Sequence, residues 1–133
     1  MAKKQSQTND CYCGSKQPFV SCCQPIIQGQ AATTAEQLMR SRYSAFCIKD
    51  KDYILASWHH ENRPDKLDFD EQQQWLGLKI VKTQDGSELH QAGIVEFVAR
   101  YKINGKARRL HEISQFVNIG GQWYYTTGDL LES

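Results

Sequence analysis

Four of the five cysteines of this 133-residue chain lie within thirteen residues of one another, at Cys11, Cys13, Cys22 and Cys23. Thiolate sulfur is a preferred ligand of Zn²⁺, and a tetrahedral site with four protein ligands has no open position for a substrate. Gly14 suits the tight turn that must follow the first pair. The spacing therefore predicts one structural zinc ion per chain, with disulfides or a cluster of free thiols as the alternatives.

The composition is that of an ordinary globular chain. Its apolar content of 40% is enough for a core, and its formal net charge of +1 argues against nucleic-acid binding, which usually needs a basic face. No apolar run is long enough to span a membrane. The N-terminus has lysines but lacks the apolar segment of a signal peptide, so with reduced thiols we expect a cytoplasmic protein.

Helical patterns fill the first half of the chain. Thr33 as N-cap and Glu36 three residues later form a capping box, which predicts a helix to about residue 49. Shorter helices are predicted over residues 52–58 and 70–76, the second ended by the glycine that follows it.

The sequence then alternates with a period of two, which is typical of strands. Strands are predicted over residues 78–83, 92–103, 108–119 and 122–127, with Asp-Gly, Asn-Gly and Gly-Gly turns between them. Helices followed by an antiparallel meander predict an α+β fold, in which a curved sheet wraps short helices in a half-open cone. We assign residues 1–29 to a zinc knuckle and its connector, and residues 30–133 to the cone. A connector with proline and glycine predicts that the knuckle folds independently.

Two groups of residues resemble known families. The C-x-C-G-S and C-C pairs of residues 11–23 resemble the SEC-C motif, which implies zinc binding. In the preprotein translocation motor that motif recruits a chaperone and contacts lipid. The whole chain resembles the YchJ family of uncharacterised bacterial proteins through residues 38–46, 58–59, 75–78, 95–100 and 121–125. This resemblance implies a SEC-C motif joined to a nuclear-transport-factor-like (cystatin-like) cone. Many members carry a second, C-terminal SEC-C motif; this sequence shows one, so no function that needs two is expected.

The interior of the predicted cone contains polar residues. Glu112 and Ser114 share one face of the third strand. Arg42 lies on the apolar stripe of the first helix, so it either snorkels to the surface or is buried as an ion pair. Glu112 is its best-placed partner, directly or through a bound anion or water. The pair would fix the helix to the sheet, or line a ligand pocket with Tyr43 and Trp58.

A histidine follows the second predicted helix. His59 is a candidate pocket residue and general base near neutral pH, with a surface or capping role as the alternative. The sequence has no nucleophile elbow, P-loop or dinucleotide fingerprint, so no catalytic residue is assigned.

Two functions remain open. The first is a non-enzymatic zinc-binding adaptor that recruits a protein partner through the knuckle, as a monomer or a sheet-mediated homodimer. The alternative is a small-molecule binding protein or enzyme that uses the pocket of the cone. The fold class hosts both, so it does not decide between them.

Overall fold

A computed structural model describes residues 10–131 of the protein. Its body is a four-stranded antiparallel sheet with short helices on one side. A 3₁₀ turn (Phe19–Ser21) leads into three helices: α1 (Cys23–Ile27), α2 (Ala35–Ile48) and α3 (Lys51–Ala56). The strands are β1 (Gln73–Asp85), β2 (Ala92–Ile103), β3 (Lys106–Ile119) and β4 (Gln122–Leu131). They pair in the order β1-β2-β3-β4, so the predicted α+β meander is confirmed.

Irregular pairing bends the sheet around the helices. The register between β1 and β2 shifts on either side of Leu76 and of Val81, and that between β3 and β4 shifts after Gln115. Such bulges increase local twist and curvature. Helix α2 packs against β1, β2 and β4, which leaves it enclosed by the sheet.

The turns follow the sequence signals in two of three places. Asn104 and Gly105 have φ angles of 53° and 80°, as a two-residue type I′ hairpin turn requires. The Gly-Gly pair likewise connects β3 and β4 directly. The Asp-Gly pair does not make a two-residue turn, because β1 ends at Asp85 and residues 86–91 form a longer loop. Gly86 O in that loop accepts a hydrogen bond from Ala35 N, at the start of α2.

The first residues of α2 are capped one position later than predicted. Thr34, not Thr33, is the N-cap, and its Oγ1 accepts a hydrogen bond from Gln37 N at 3.0 Å. The side chain of Gln37 reaches back in turn, with its Oε1 2.7 Å from Thr33 N. Gln37 therefore takes the place in the capping box that was predicted for Glu36.

The predicted helix over residues 70–76 is wrong, because β1 begins at Gln73 and runs through this segment. Gln73 pairs with Ile103 and Trp75 pairs with Tyr101 on β2. These cross-strand contacts override a local composition that does not favour strand. The helix predicted over residues 52–58 is present as Lys51–Ala56, so it begins one residue earlier and ends two residues earlier.

The buried core extends from the N-terminal cysteines to the sheet. Three of the four clustered cysteines belong to the same buried apolar cluster as Leu38 of α2, Phe97 of β2 and Trp123 of β4. The division of the chain after residue 29 stays a prediction. The independent folding predicted for the knuckle finds no support in this packing, because the buried cluster is continuous across that boundary.

The position of the N-cap gives a direct test. Thr34→Ala removes the acceptor for Gln37 N and should lower the free energy of unfolding by about 1 kcal/mol. The matched variant Thr33→Ala keeps that bond and should cost less than about 0.5 kcal/mol. Urea unfolding of both variants checks this, and a larger loss for Thr33→Ala would contradict the assignment.

Candidate functional site

The four N-terminal cysteines converge beside α2. Their Sγ atoms all lie within 4.8 Å of one another, and Cys13 Sγ is 3.7 Å from Cys22 Sγ. Tetrahedral coordination with Zn–S bonds of about 2.3 Å separates sulfurs by about 3.8 Å. All the cysteines are free thiols. The four sulfurs therefore fit around a single metal ion.

Local backbone geometry brings the first pair of sulfurs together. Gly14 has a φ of 83°, and a side chain at this position would press on Leu78 O of β1. Its N–H donates to Cys11 O at 3.3 Å, while Cys11 N–H donates to Gln17 O at 2.7 Å. The glycine after the first pair is thus required both by the turn and by the close approach to the sheet.

Serine hydroxyl groups contact two of the four sulfurs, those of Cys11 and Cys22. Ser15 Oγ lies 3.1 Å from Cys22 Sγ, and Ser44 Oγ of α2 lies 3.5 Å from Cys11 Sγ. Outer contacts of this kind orient the ligands of a metal site and tune its affinity. Ser44 also ties the cluster to the long helix.

A positive charge lies beside the cluster. Arg40 Nη1 of α2 donates to Cys13 O at 2.8 Å and lies 3.8 Å from Cys13 Sγ. Its Nε donates to Glu36 Oε2 at 2.9 Å, which fixes the guanidinium along the helix. Four thiolates around a divalent cation carry a net negative charge, and Arg40 offsets part of it.

The pKa values of the clustered thiols are shifted in opposite directions. Hydrogen bonds from Cys11 and Cys23 lower the pKa of the Cys13 thiol, and the same network raises the pKa of Cys23. Burial raises the pKa of Cys22 to about 11. Thiolates this close together repel one another, so a bound cation is what allows all four to ionise.

A second candidate site is a cavity of about 360 Å³ between α2 and the sheet, here called the α2 pocket. Five of the six residues predicted for a pocket line it: Arg42, Tyr43, Trp58, Glu112 and Ser114. The sequence analysis missed Gln73, Trp75 and Tyr125 as pocket residues. Trp75 and Tyr125 belong to a set of aromatic residues whose number is typical of core and pocket walls, but the sequence does not say which of them line this cavity.

Arg42 is the buried cation of the α2 pocket, with only 4% of its surface exposed. Its Nη1 donates to Ile54 O at 2.8 Å and to Ser57 Oγ at 2.7 Å, at the C-terminal end of α3. The guanidinium carbon lies 5.1 Å from the ring centre of Trp58 and 4.6 Å from that of Tyr125. Burial lowers the pKa of Arg42 to about 10, so the group stays charged at neutral pH.

Of the two arrangements predicted for Arg42 and Glu112, the direct ion pair is wrong, because no ion pair within residues 10–131 joins them. The arrangement bridged by an anion or water stays a prediction. Tyr125 stands between the two charges, because its ring contacts Arg42 while its hydroxyl donates to Glu112 Oε2 at 3.2 Å. Ser114 Oγ donates to the same oxygen at 2.6 Å. A side chain at Gly128 would collide with this carboxylate, so glycine makes room for it.

His59 does not line the α2 pocket. Its ring stacks on His60, with 4.7 Å between ring centres. Its backbone N–H donates to the backbone carbonyl of Tyr125 at 2.8 Å. Trp58 and Tyr125 form a short parallel bridge. Successive side chains of an extended segment point to opposite sides, so Trp58 faces the pocket and His59 faces away.

Comparison with known proteins shows relatives over nearly the whole chain. Residues 34–128 match the family described as "YchJ, middle NTF2-like domain". A UPF0225 protein of Chromobacterium violaceum is 44% identical over 132 residues, which is 96% of each chain. One from Streptomyces coelicolor is 43% identical, covering 94% of this chain and 98% of the relative.

Solved structures share the fold. A SEC-C motif containing protein from Rhodopseudomonas palustris, solved in solution, matches with a TM-score of 0.80 and 33% identity, over 92% of this chain and 99% of that one. A crystal structure of a SEC-C motif containing protein from Psychrobacter arcticus matches with a TM-score of 0.74 and 28% identity, over 96% and 84%. Within residues 10–131, none of the helices has the length and apolar character to cross a bilayer.

Two double-mutant cycles test which partner holds Arg42. We expect Arg42→Met and Ser57→Ala to be coupled by about 1 kcal/mol in the free energy of unfolding, because the two side chains share a buried hydrogen bond. Arg42→Met and Glu112→Gln should be coupled more weakly than the first pair, because the two charges share no hydrogen bond and act on each other through space and through Tyr125. Chemical denaturation of the single and double variants measures both values. Strong coupling to Glu112 together with none to Ser57 would contradict the arrangement.

Proposed function

Because this chain belongs to the YchJ family, also called UPF0225, and carries the cysteines of a SEC-C motif, we propose that it is a zinc-binding adaptor. In this proposal the metal folds the cysteine loop (residues 11–23) and holds it against α2, and the loop presents an apolar surface to a protein partner. The observation that carries the proposal is the convergence of four sulfurs within 4.8 Å on a loop with exposed apolar side chains.

Zinc is the metal that suits this donor set best. Four thiolates in a tetrahedron are typical of zinc or of iron–sulfur centres. The sulfurs lie close enough to share one ion, whereas a cluster of several irons holds its cysteines farther apart. Four protein ligands leave no open position, so the role of the metal is structural rather than catalytic. Cysteines that must stay reduced to bind a metal suit the cytoplasm, which is the location that we propose.

The partner surface, here called the knuckle surface, consists of Tyr12, Phe19 and Val20. Tyr12 is 48% exposed and Val20 is 68% exposed, while Phe19 is half-buried against the ring of Tyr12. An exposed tyrosine is a favourable anchor for a protein interface, and the exposed side chain of Val20 adds apolar surface that a partner could cover. The net charge of +1 favours a protein over a nucleic acid as the partner.

A second candidate function is small-molecule binding in the α2 pocket. The specific observation that favours it is a buried, charged Arg42 on the wall of a cavity of about 360 Å³ with aromatic walls. Cavities with few polar groups on apolar walls are typical ligand sites.

Metal analysis tests the first proposal. Protein purified under reducing conditions should contain about one zinc per chain. Cys22→Ser removes one ligand and should lose most of this zinc to a competing chelator. The matched variant Cys47→Ser alters the remaining cysteine, which lies outside the cluster, and should keep its zinc. Iron in place of zinc, or full zinc retention by Cys22→Ser, would overturn the assignment.

Partner binding tests the adaptor role. Crosslinking in cells identifies candidate partners, and calorimetry with each purified partner then measures its affinity. Val20→Ser should weaken the complex several-fold, because it removes exposed apolar surface from the contact. Leu89→Ser is the matched control, because Leu89 is 90% exposed but lies in the loop before β2. Equal binding by the two variants, with zinc content unchanged in both, would remove the knuckle surface as the partner site.

A further inference from the structure

We propose that the α2 pocket binds a small organic monoanion: a carboxylic acid with a ring-sized apolar body, whose carboxylate pairs with Arg42. This inference rests on the second candidate function, and it is independent of the metal centre and of the knuckle surface. It names the chemical class of the ligand and the residue that recognises its charge.

The first step concerns the hydrogen-bonding capacity of Arg42. Only Nη1 of its guanidinium bonds to the protein within residues 10–131, to Ile54 O and Ser57 Oγ. No buried side-chain nitrogen or oxygen in that part of the chain is both sealed from solvent and without a partner. Nε and Nη2 are therefore reachable, and Arg42 is part of the pocket wall. These remaining N–H groups are donors available to a ligand.

The second step concerns charge. A guanidinium taken out of water without a carboxylate partner is costly. The faces of Trp58 and Tyr125 and the end of α3 offset part of this cost. A ligand carboxylate would supply the missing countercharge and can bond an arginine through two parallel hydrogen bonds. An anion therefore gains more here than a neutral molecule of the same shape.

The third step concerns how much negative charge the pocket accepts. The Glu112 carboxylate lies on the same wall, beyond Tyr125, and keeps its own donors, Ser114 and Tyr125. Its charge opposes that of any bound anion. A single arginine beside a carboxylate suits one negative charge, whereas a phosphate dianion would be repelled.

The fourth step concerns size and shape. The volume of about 360 Å³ is near the lower end of the range for ligand pockets, roughly 300–1,000 Å³. Tyr43, Phe46, Trp75 and Phe97 supply aromatic walls. Such walls favour a flat apolar body, since ring contacts add to the gain from apolar burial. A single-ring acid fits both the volume and the chemistry.

Titration of the zinc-loaded protein with phenylacetate tests the proposal, with phenylacetamide as the neutral match and inorganic phosphate as the multivalent anion. Two-dimensional NMR follows the three indole N–H signals, because Trp58 and Trp75 line the pocket whereas Trp123 is buried outside it. We expect phenylacetate to shift the Trp58 and Trp75 signals and to bind about tenfold more tightly than phenylacetamide. Phosphate should leave both signals in place.

Substitution of Arg42 is a poor test, because Arg42 also holds α3 and Arg42→Met can unfold the protein. A substitution of the neighbouring charge avoids this problem. Glu112→Gln removes the opposing charge, so it should tighten phenylacetate binding several-fold and leave phenylacetamide unchanged. The proposal is overturned if phenylacetamide binds as tightly as phenylacetate, if Glu112→Gln has no effect on the acid, or if millimolar phenylacetate shifts no pocket signal. None of these results would bear on zinc content or partner binding, so the two functions fail separately.

Discussion

Helix α2 lies between the two candidate sites, and both depend on its burial. Arg40 and Ser44, four residues apart, reach the cysteine cluster, whereas Arg42 and Tyr43 line the α2 pocket. A helix covered on several sides has polar side chains that water cannot reach, and each of these needs a hydrogen-bond partner in the protein. Even Ser41 of this helix, which is fully buried, bonds Leu38 O and the hydroxyl of Tyr53. The cysteine loop, the helix and the sheet therefore share one core.

The features that could be predicted from the sequence are those set by local chemistry. The spacing of the four cysteines required a turn at Gly14, and the turn and the converging sulfurs are present. Alternation along β2 and the Asn-Gly turn predicted the bounds of β2 correctly, and β3 begins two residues earlier than predicted. The same alternation placed Glu112 and Ser114 on the face that lines the pocket. Each of these signals depends on neighbours within a few residues.

The features that could not be predicted depend on contacts distant in the sequence. The start of β1 lacks a strand-like composition and is held by pairing with β2. Arg42 and Glu112 do line one cavity, but only the fold shows that Tyr125 separates them. Thr33 and Thr34 are equivalent as caps in sequence, and the geometry of the chain entering α2 selects between them. The packing of the cysteine loop on α2 could not be predicted either, because Arg40 and Ser44, which make the contacts, are ordinary polar residues in the sequence.

The cysteine cluster forms part of the core of the domain, so a metal ion bound there should stabilise the whole domain. Differential scanning calorimetry of the reduced, zinc-loaded protein, before and after chelation, tests this directly, with tryptophan fluorescence as a reporter, since Trp75 and Trp123 lie in the sheet. We expect one transition whose midpoint falls by about 10 °C or more on chelation, with fluorescence following the same curve, because three of the four clustered cysteines belong to the main buried cluster. An unchanged midpoint in the metal-free protein, with unchanged tryptophan emission, would show that the cysteine loop is a separate module whose metal does not stabilise the domain.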